Sequence, residues 1–284
     1  MKYEKPPVRY VVAKLKFSKV FGKYTEEKYK KLLSSLEGLG LERIVVSDLN
    51  HVHLNSQHGK FEITEGTVDR VAFFSPNGRR CGIISEREIE FRLSEYDNHS
   101  HFLDDTCVFY NKFIESGFAV DNPVAEILLH YVDHFIPDKC NLVDMFNNVS
   151  LPLGQFHQKD SDFISVGVLS QTRILESRRE KVVVSLEQIK IPQQPTGDFN
   201  ELPKVIPDAL LEPDEKMVMP IDVKVPEESV GKDYALVHTF CSKLISKEDT
   251  VIRDSFENLY RESRVTFDKM INLETCSDIW IAKE

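Results

Sequence analysis

Three strand-like runs between residues 69 and 93 constrain the fold more than any other feature of this sequence. The first, DRVAFFS, leads into Pro76, Asn77 and Gly78, which are residues that turns select, and RCGIIS then runs back. The third, EIEFRLSEY, alternates apolar Ile89 and Phe91 with charged residues, which is the period of a half-buried strand. Short strands joined by tight turns predict an antiparallel meander.

A helix is predicted directly after the meander, over residues 99–115. Apolar residues at 102, 108, 109 and 113 would form its buried face, and Gly117 is a typical stop. Strands in succession followed by a helix favour an α+β fold over a doubly wound one. We therefore predict mainly antiparallel sheets with long helices packed on one face, in one continuous domain or in two similar α+β halves.

The same patterns predict further elements. In the first part of the chain they are a strand over 8–20, a helix over 25–36 and a short strand over 43–47. In the second part, strands are predicted over 163–175 and 181–191, and a helical pattern runs from 233 to about 273 with a break near 246–249. The segment VAEILLHYVDHFI, 124–136, fits a helix that starts at Pro123 and equally a buried strand, so its local pattern leaves both open.

Residues 192–232 differ in composition from the rest of the chain. They hold seven of the thirteen prolines, interspersed with acidic residues. Proline removes a backbone donor and restricts the residue before it, so most of this segment should be loop. The run VMPIDVKV, 218–225, is the exception and is predicted as an edge strand with Pro220 at its start. The predicted division is an N-terminal α+β part, 1–137, and a C-terminal part, 138–284, that contains this segment.

The net charge argues against a protein that coats nucleic acid. It is −10, whereas binding to phosphates is driven by Lys and Arg. Basic residues are concentrated at the start, because residues 1–31 carry ten Lys or Arg and three Glu. We interpret them as a solvated edge strand guarded by lysines. The alternative is an anionic partner, such as RNA bound on the Lys14 and Lys16 face.

Cysteine usage and hydropathy bear on the compartment. The five cysteines are widely scattered without a CxxC pair, which is typical of a reduced, cytoplasmic protein. The first residues lack the apolar core of a signal peptide, and no run approaches the ~18 apolar residues of a membrane-spanning helix. We therefore predict a cytoplasmic protein with no membrane partner.

The densest cluster of potential metal ligands lies in HVHLNSQHGKFE, residues 51–62. His51 and His53 would share one face of a strand, and His58 could follow a turn, which is a spacing that zinc sites accept. The stretch is also rich in Asn, Ser, Gln and Gly, the composition of a solvated loop. We name His51, His53 and His58 as metal candidates, with a polar loop as the favoured interpretation.

The other histidines give weaker signals. His99 and His101 sit at a predicted helix start after Asp97 and Asn98, so a helix cap explains them. His130 and His134 have the spacing of half a metalloprotease motif, but Tyr131 stands where HExxH has its Glu, and we interpret both as residues on a sheet face.

Several stretches together resemble a sporadically distributed family of uncharacterised prokaryotic proteins. The family begins with a Pro-Pro-Val strand, present here as residues 6–8, and continues with a hairpin of the form FxSxDG…VxLS, here FFSPNGRRCGIIS. LLHYVDHF is similar to its GLRYIN strand, with His130 and Asp133 where the family has Arg and Asn. Residues elsewhere that match the pattern are Tyr96, Tyr260, Arg264, Phe267 and Trp280. The resemblance implies a strand over 124–136 and no known activity.

The sequence shows no phosphate-binding loop, no nucleophile elbow and no cysteine beside a histidine, so we predict neither catalytic residues nor a cofactor. The favoured function is a non-enzymatic cytoplasmic binding or interaction protein with a protein partner. The sporadic distribution that the resemblance implies suggests an accessory role in a mobile defence or toxin–antitoxin-like system. The alternative is a metal-dependent hydrolase or nuclease that uses the clustered histidines. The sequence leaves the oligomeric state open.

Overall fold

The computed structural model describes residues 7–57, 60–147, 151–152, 166–191, 202–246 and 251–280, with the side chains of 50–65 outside the description. These residues form nine strands: β1 (Val8–Phe17), β2 (Arg43–Gln57), β3 (Lys60–Phe74), β4 (Arg80–Ser85), β5 (Glu88–Leu93), β6 (Val124–Phe135), β7 (Val166–Leu175), β8 (Glu180–Lys190) and β9 (Asp233–Leu244). They also form four α-helices: α1 (Glu26–Ser35), α2 (His99–Glu115), α3 (Ile252–Met270) and α4 (Leu273–Trp280). None of these helices has the length and hydropathy needed to cross a bilayer.

All nine described strands belong to one antiparallel sheet. Its order is β2-β3-β4-β5-β1-β6-β9-β8-β7. The first strand of the chain therefore lies in the middle, where it pairs with β5 on one side and β6 on the other. Strands from both sides of residue 137 contribute to this sheet, because β6 pairs with β9.

Local signals explain where the elements near the site begin and end. The Asn98 side chain accepts a hydrogen bond from the His101 backbone N–H at 3.0 Å and so caps α2. Just after α2, Gly117 takes a positive φ of 73°, which a residue without Cβ adopts at little cost. Gly78, in the turn between β3 and β4, has a φ of 72° for the same reason.

The sheet has apolar cores on both faces. On one face Val11, Ala13 and Leu15 of β1 belong to the largest cluster, which includes buried residues from α1, α2 and α3. On the other face Tyr10 and Val12 pack with residues of an irregular segment, 202–230, which we call the strap. Alternation along each strand places odd and even positions of β1 in different cores.

The predicted fold class is wrong. The described strands form one nine-stranded sheet rather than several sheets or two similar halves, and of the four described helices only α2 and α3 exceed ten residues. Instead of long helices covering one face alone, the helices α1, α2 and α3 and the irregular strap all contribute to the cores. Within α2, Phe102, Phe109 and Phe113 are buried as predicted, but Val108 is exposed.

Two predicted elements of the second part of the chain are also wrong. Residues 218–225 form no strand, although Met219, Ile221, Val223 and Val225 do contact the apolar clusters. An extended segment lying on a sheet has the same period of two as a strand within it, which explains the false prediction. The start of the predicted helix, 233–244, is strand β9; it is buried on both faces, so it lacks the alternation that would have marked it.

Two predictions in the first part of the chain are wrong as well, one at the lysine-rich first strand and one at the histidine stretch. β1 is a central strand rather than an edge strand. Residues 51–57 continue β2 and pair with β3, so the predicted polar loop is wrong for this backbone, in which Val52 and Leu54 alternate with polar residues. For residues 124–136 the structure decides between the two alternatives in favour of a strand, β6.

Candidate functional site

A cavity of about 150 Å³ lies where β6 and β9 face α3 and the start of α2. Its lining combines aromatic side chains with a few polar groups, among them Tyr96, Tyr131, Tyr260, Asp133, Thr239 and Arg264. A cavity with mostly apolar walls and a small number of converging polar groups is the usual form of a binding site for a small molecule. This cavity is therefore the candidate functional site.

Asp133 is the most unusual group in the cavity. β6 holds it two residues after Tyr131, so both side chains point to the same face of the sheet. Asp133 is only 2% exposed, and its Oδ1 has no hydrogen-bond partner. Burial raises the pKa of Asp133 to about 7, against the opposing effect of the Arg264 and Arg9 guanidinium groups. The carboxyl is thus poised to change its charge near neutral pH.

Thr239 supplies a second polar atom without a partner. It lies in β9 directly opposite Tyr131, which places its side chain on the same face as Asp133. Thr239 is 2% exposed, and its Oγ1 makes no hydrogen bond. A buried polar atom without a partner costs about 1–3 kcal/mol, so two of them in one cavity call for an explanation.

A chain of hydrogen bonds runs from α3 to the cavity. Glu257 Oε2 lies 2.9 Å from His99 Nε2, and His99 Nδ1 lies 3.2 Å from the Tyr131 hydroxyl. Tyr131 in turn hydrogen-bonds Tyr96. Burial lowers the pKa of His99 in spite of the Glu257 hydrogen bond, and burial raises the pKa of Tyr131 well above its usual value. At neutral pH the imidazole and the phenol are therefore both uncharged.

The helix α3 forms the remaining wall. Tyr260, Arg264 and Phe267 are spaced by four and three residues, which puts them on one side of the helix. The Tyr260 ring stacks on His99 with their centroids 3.3 Å apart. Arg264 Nη2 lies 2.9 Å from Asp268 Oδ1, so its guanidinium group is paired at the edge of the cavity. Trp280 from α4 completes the lining.

The residues that matched the family pattern converge on this cavity. Tyr96, Tyr260, Arg264, Phe267 and Trp280 all line it, as do Tyr131 and Asp133 of the LLHYVDHF strand. Sequence reasoning named no site here, since these residues lie on three separate elements and on the loop before α2. Thr239 was missed because its segment was predicted as helix, and His99 was interpreted only as part of a helix cap.

The predicted metal candidates are not part of this site. The backbones of His51 and His53 lie in β2, opposite Gly66 and Thr64, while their side chains and all of His58 lie outside the described residues. Within the described part of the chain, no group of three His, Cys, Asp or Glu residues is placed to hold a metal ion. The metal site at His51, His53 and His58 stays a prediction.

The other histidines lie as the sequence indicated. His130 and His134 are on the face of β6 opposite Asp133, which confirms their interpretation as sheet-face residues. His130 Nδ1 lies 3.1 Å from His238 Nε2, and His134 Nε2 donates to the Val205 carbonyl at 2.8 Å. His101 is exposed beside Asp97 and the Asn98 cap, as expected for a helix start.

A second, more open cavity of about 400 Å³ lies on the strap side of the sheet. It is lined by a network of charges in which Lys14 Nζ lies 2.8 Å from Glu90, while Arg92 contacts both Glu90 and Glu212. Arg70 also binds Glu212 through two hydrogen bonds. Each of these charges has a partner within the protein, so the network does not require a ligand to balance it. Lys16 is paired as well, with Glu126 at 3.3 Å, and the Lys14 and Lys16 face is not a free basic surface.

No protein-family model, curated protein or solved structure matches this chain. The resemblance to a sporadic prokaryotic family is therefore still a prediction, and the function has to be argued from the cavity.

Proposed function

We propose that this protein is a non-enzymatic binding protein whose ligand is a small molecule held in the cavity between β6, β9 and α3. The observation that carries the proposal is the pair of buried atoms, Asp133 Oδ1 and Thr239 Oγ1, which lack partners in the same cavity. Buried polar groups are nearly always hydrogen-bonded in native proteins, and a ligand would provide the bonds that the chain does not.

The size of the cavity limits the ligand. At ~30 Å³ per water molecule, 150 Å³ corresponds to roughly five waters, or a ligand of about five to seven non-hydrogen atoms. The aromatic walls of Tyr131, Tyr260 and Phe267 would contact its apolar part, while the polar atoms would fix its orientation.

The chemistry of the cavity supports binding over catalysis. His99 is engaged on both ring nitrogens, by Glu257 and Tyr131, and so has no free nitrogen to act as a base. The pKa of Tyr131 is raised well above its usual value by burial, and that of the nearby Cys241 thiol to about 12. A neutral phenol and a neutral thiol are weak nucleophiles.

Acid–base catalysis by Asp133 is the second candidate function. The observation in its favour is the position of Asp133, whose Oδ1 has no partner in the cavity. Burial raises the pKa of this carboxyl to about 7, and a general acid or base works best when its pKa is near the working pH. Long incubation of a bound compound with the protein distinguishes the two functions. A binding protein should leave the compound unchanged, whereas conversion of the compound that Asp133→Asn abolishes would favour an enzyme.

A thermal-shift screen tests the proposed function. The compounds would be amines, carboxylates, alcohols and amides of fewer than eight non-hydrogen atoms, tested on the wild type and on Thr239→Val. We expect at least one chemical class to raise the melting temperature of the wild type, by mass action on the folded state, and to have a smaller effect on the variant. If no class stabilises the wild type, or every class stabilises both proteins equally, the proposal is wrong.

The stability of Thr239→Val without ligand tests whether the Thr239 hydroxyl is unpaired. Because valine replaces an unpaired buried hydroxyl with a methyl group, the ligand-free variant should be more stable than the wild type by about 1 kcal/mol. A loss of stability of that size would mean that Oγ1 has a partner within the protein.

A further inference from the structure

The hydrogen-bond chain beside the cavity has a defined polarity. A carboxylate can only accept hydrogen bonds, so Glu257 accepts one from the N–H at His99 Nε2. Because the imidazole is neutral, its Nδ1 carries no proton and must accept a hydrogen bond. The Tyr131 hydroxyl donates to that Nδ1. The Tyr96 hydroxyl also pairs with Tyr131, and its oxygen keeps a lone pair that can accept a hydrogen bond from a group in the cavity.

Three oxygen atoms that can accept hydrogen bonds line one small cavity. They are the Tyr96 oxygen, Asp133 Oδ1 and Thr239 Oγ1, and the last two are buried without a partner. Among the charged groups of the lining, Arg264 is paired with Asp268 and Asp97 with His101, so Asp133, which Arg264 and Arg9 influence through their charge, is the group that faces the cavity with an unpartnered oxygen. The cavity is thus suited to a ligand that donates hydrogen bonds and carries positive charge.

The aromatic walls supply the apolar part of the site. The Tyr96 and Tyr260 rings each have their centroid 6.0 Å from that of Tyr131, so three tyrosine rings cluster at the cavity. Such rings bury apolar surface while their hydroxyl groups remain polar.

We propose that the cavity binds a primary ammonium group, whose three N–H donors are accepted by Tyr96, Asp133 and Thr239. This inference rests on the proposed function and names the ligand class of the same site. A free alkylamine and the side chain of a lysine share this chemistry, and both have an apolar chain that would contact Tyr260 and Phe267.

Calorimetric titration with matched probes tests the inference. The probes are n-butylammonium, 1-butanol and butyrate, which share a four-carbon chain and differ in their polar head. We expect n-butylammonium to bind at least tenfold more tightly than 1-butanol, and butyrate not to bind measurably. A blocked lysine amide, used as a fourth probe, separates the two sources: binding tighter than that of n-butylammonium indicates a lysine, and weaker binding a free amine.

Tetramethylammonium tests the three acceptors. It carries the same charge without any N–H donor, so it should bind at least tenfold more weakly than n-butylammonium. Equal binding would overturn the inference. Tighter binding of butyrate or 1-butanol would also overturn it, while leaving the proposed small-molecule function intact.

Substitutions in the cavity test whether n-butylammonium binds there. Asp133→Asn should reduce affinity for n-butylammonium at least tenfold, and Tyr96→Phe, which removes another lining oxygen, provides a second variant if the first does not fold. The matched control is Asp208→Asn, which removes the same charge from an exposed carboxylate on the strap. Equal affinity in the wild type and both cavity variants would contradict the inference.

The pH dependence gives an independent readout. An ammonium ion needs the ionised form of Asp133, so affinity should rise about tenfold per pH unit up to about 7 and then level off. The charged and titratable groups around Asp133 are Arg9 of β1, Arg264 of α3 and Asp97 before α2, together with His99, Tyr96 and Tyr131, which stay neutral near pH 7. An affinity that does not change between pH 5 and 8 would overturn the inference.

Discussion

Asp133 shows how a single residue can link stability to function. Its carboxyl is buried in the cavity, and burial raises its pKa from 3.8 to about 7 even though Arg264 and Arg9 favour the charged form. Folding therefore favours the protonated carboxyl. That contribution to stability is complete below about pH 4 and is lost as the pH rises through 7.

The pH dependence of stability should reveal this residue directly. The free energy of unfolding of the wild type, taken relative to Asp133→Asn, should fall by about 3 kcal/mol between pH 5 and pH 8. Urea denaturation of both proteins at a series of pH values measures it, and taking the difference cancels the contribution of His99. Asp208→Asn, at an exposed site, should track the wild type. A difference that is flat with pH would show that Asp133 is not buried as a neutral acid.

At the residue scale the sequence identified the components of the cavity only in part. Tyr96, Tyr260 and Arg264 stood out because they matched a family pattern, but their spacing along the chain gave no sign that they meet. Asp133 appeared as a departure from that pattern rather than as a site residue. Burial and missing hydrogen bonds, which make it unusual, depend on contacts between distant elements and leave no local signal.

At the scale of elements, the close approach of β4 and α2 is the clearest constraint. A Cβ at Gly82 would lie 2.5 Å from Cε2 and 2.7 Å from Cζ of Phe109. These distances are far below van der Waals contact, and the Phe109 ring is itself fully buried. Only glycine allows the helix to pack at this distance from the strand.

Gly82→Ala should therefore destabilise the protein by about 1–3 kcal/mol, through overpacking. Gly22→Ala is the matched control, since a Cβ there meets nothing within 4 Å, and its stability should change by less than about 0.5 kcal/mol. Denaturant unfolding measures both. Combining Gly82→Ala with Phe109→Leu should recover part of the loss; equal effects of the two alanine substitutions would contradict the predicted packing.

Element prediction worked where turn residues or a regular alternation marked the element. The meander followed from the turn residues at 76–78 and from the charged residues that alternate with Ile89 and Phe91, although β4 and β5 are buried on both faces. The helix α2 followed from its helical spacing, since one side of it is apolar and the other polar. β9 is buried on both faces, so it gave no alternation and was taken for helix. The strap produced the opposite error, because its extended backbone imitates the period of a strand while it lies on the sheet.

At the scale of the whole molecule, the strap is fixed by buried charge. The Glu212 side chain is 6% exposed and contacts both Arg70 and Arg92, which belong to β3 and β5. In spite of burial, the hydrogen bond from Arg70 and the charge of Arg92 lower the pKa of Glu212. The sequence predicted a loop here but not where it would dock, since Arg92 and Arg70 are 120 and 142 residues away from Glu212 along the chain.

Glu212→Gln tests this attachment. Removing one member of a buried charge network leaves the arginines undercompensated, so we expect a loss of about 3 kcal/mol and faster proteolysis within residues 202–230. Asp222→Asn is the control, because Asp222 contacts Arg79 from an exposed position and an exposed pair contributes about 0–1 kcal/mol. Limited proteolysis with mass spectrometry gives the cleavage sites. Unchanged strap cleavage in Glu212→Gln would show that other contacts hold the strap.

A protein partner and an accessory role in a mobile defence system stay predictions from the sequence, as does the cytoplasmic location. The central claim is narrower: the cavity between β6, β9 and α3 is a ligand site. The most direct measurement is a high-resolution crystal structure of the protein grown with n-butylammonium. We expect density for the ligand in contact with Asp133 Oδ1 and Thr239 Oγ1. A closed cavity in which both atoms are hydrogen-bonded to other groups of the protein would contradict the claim.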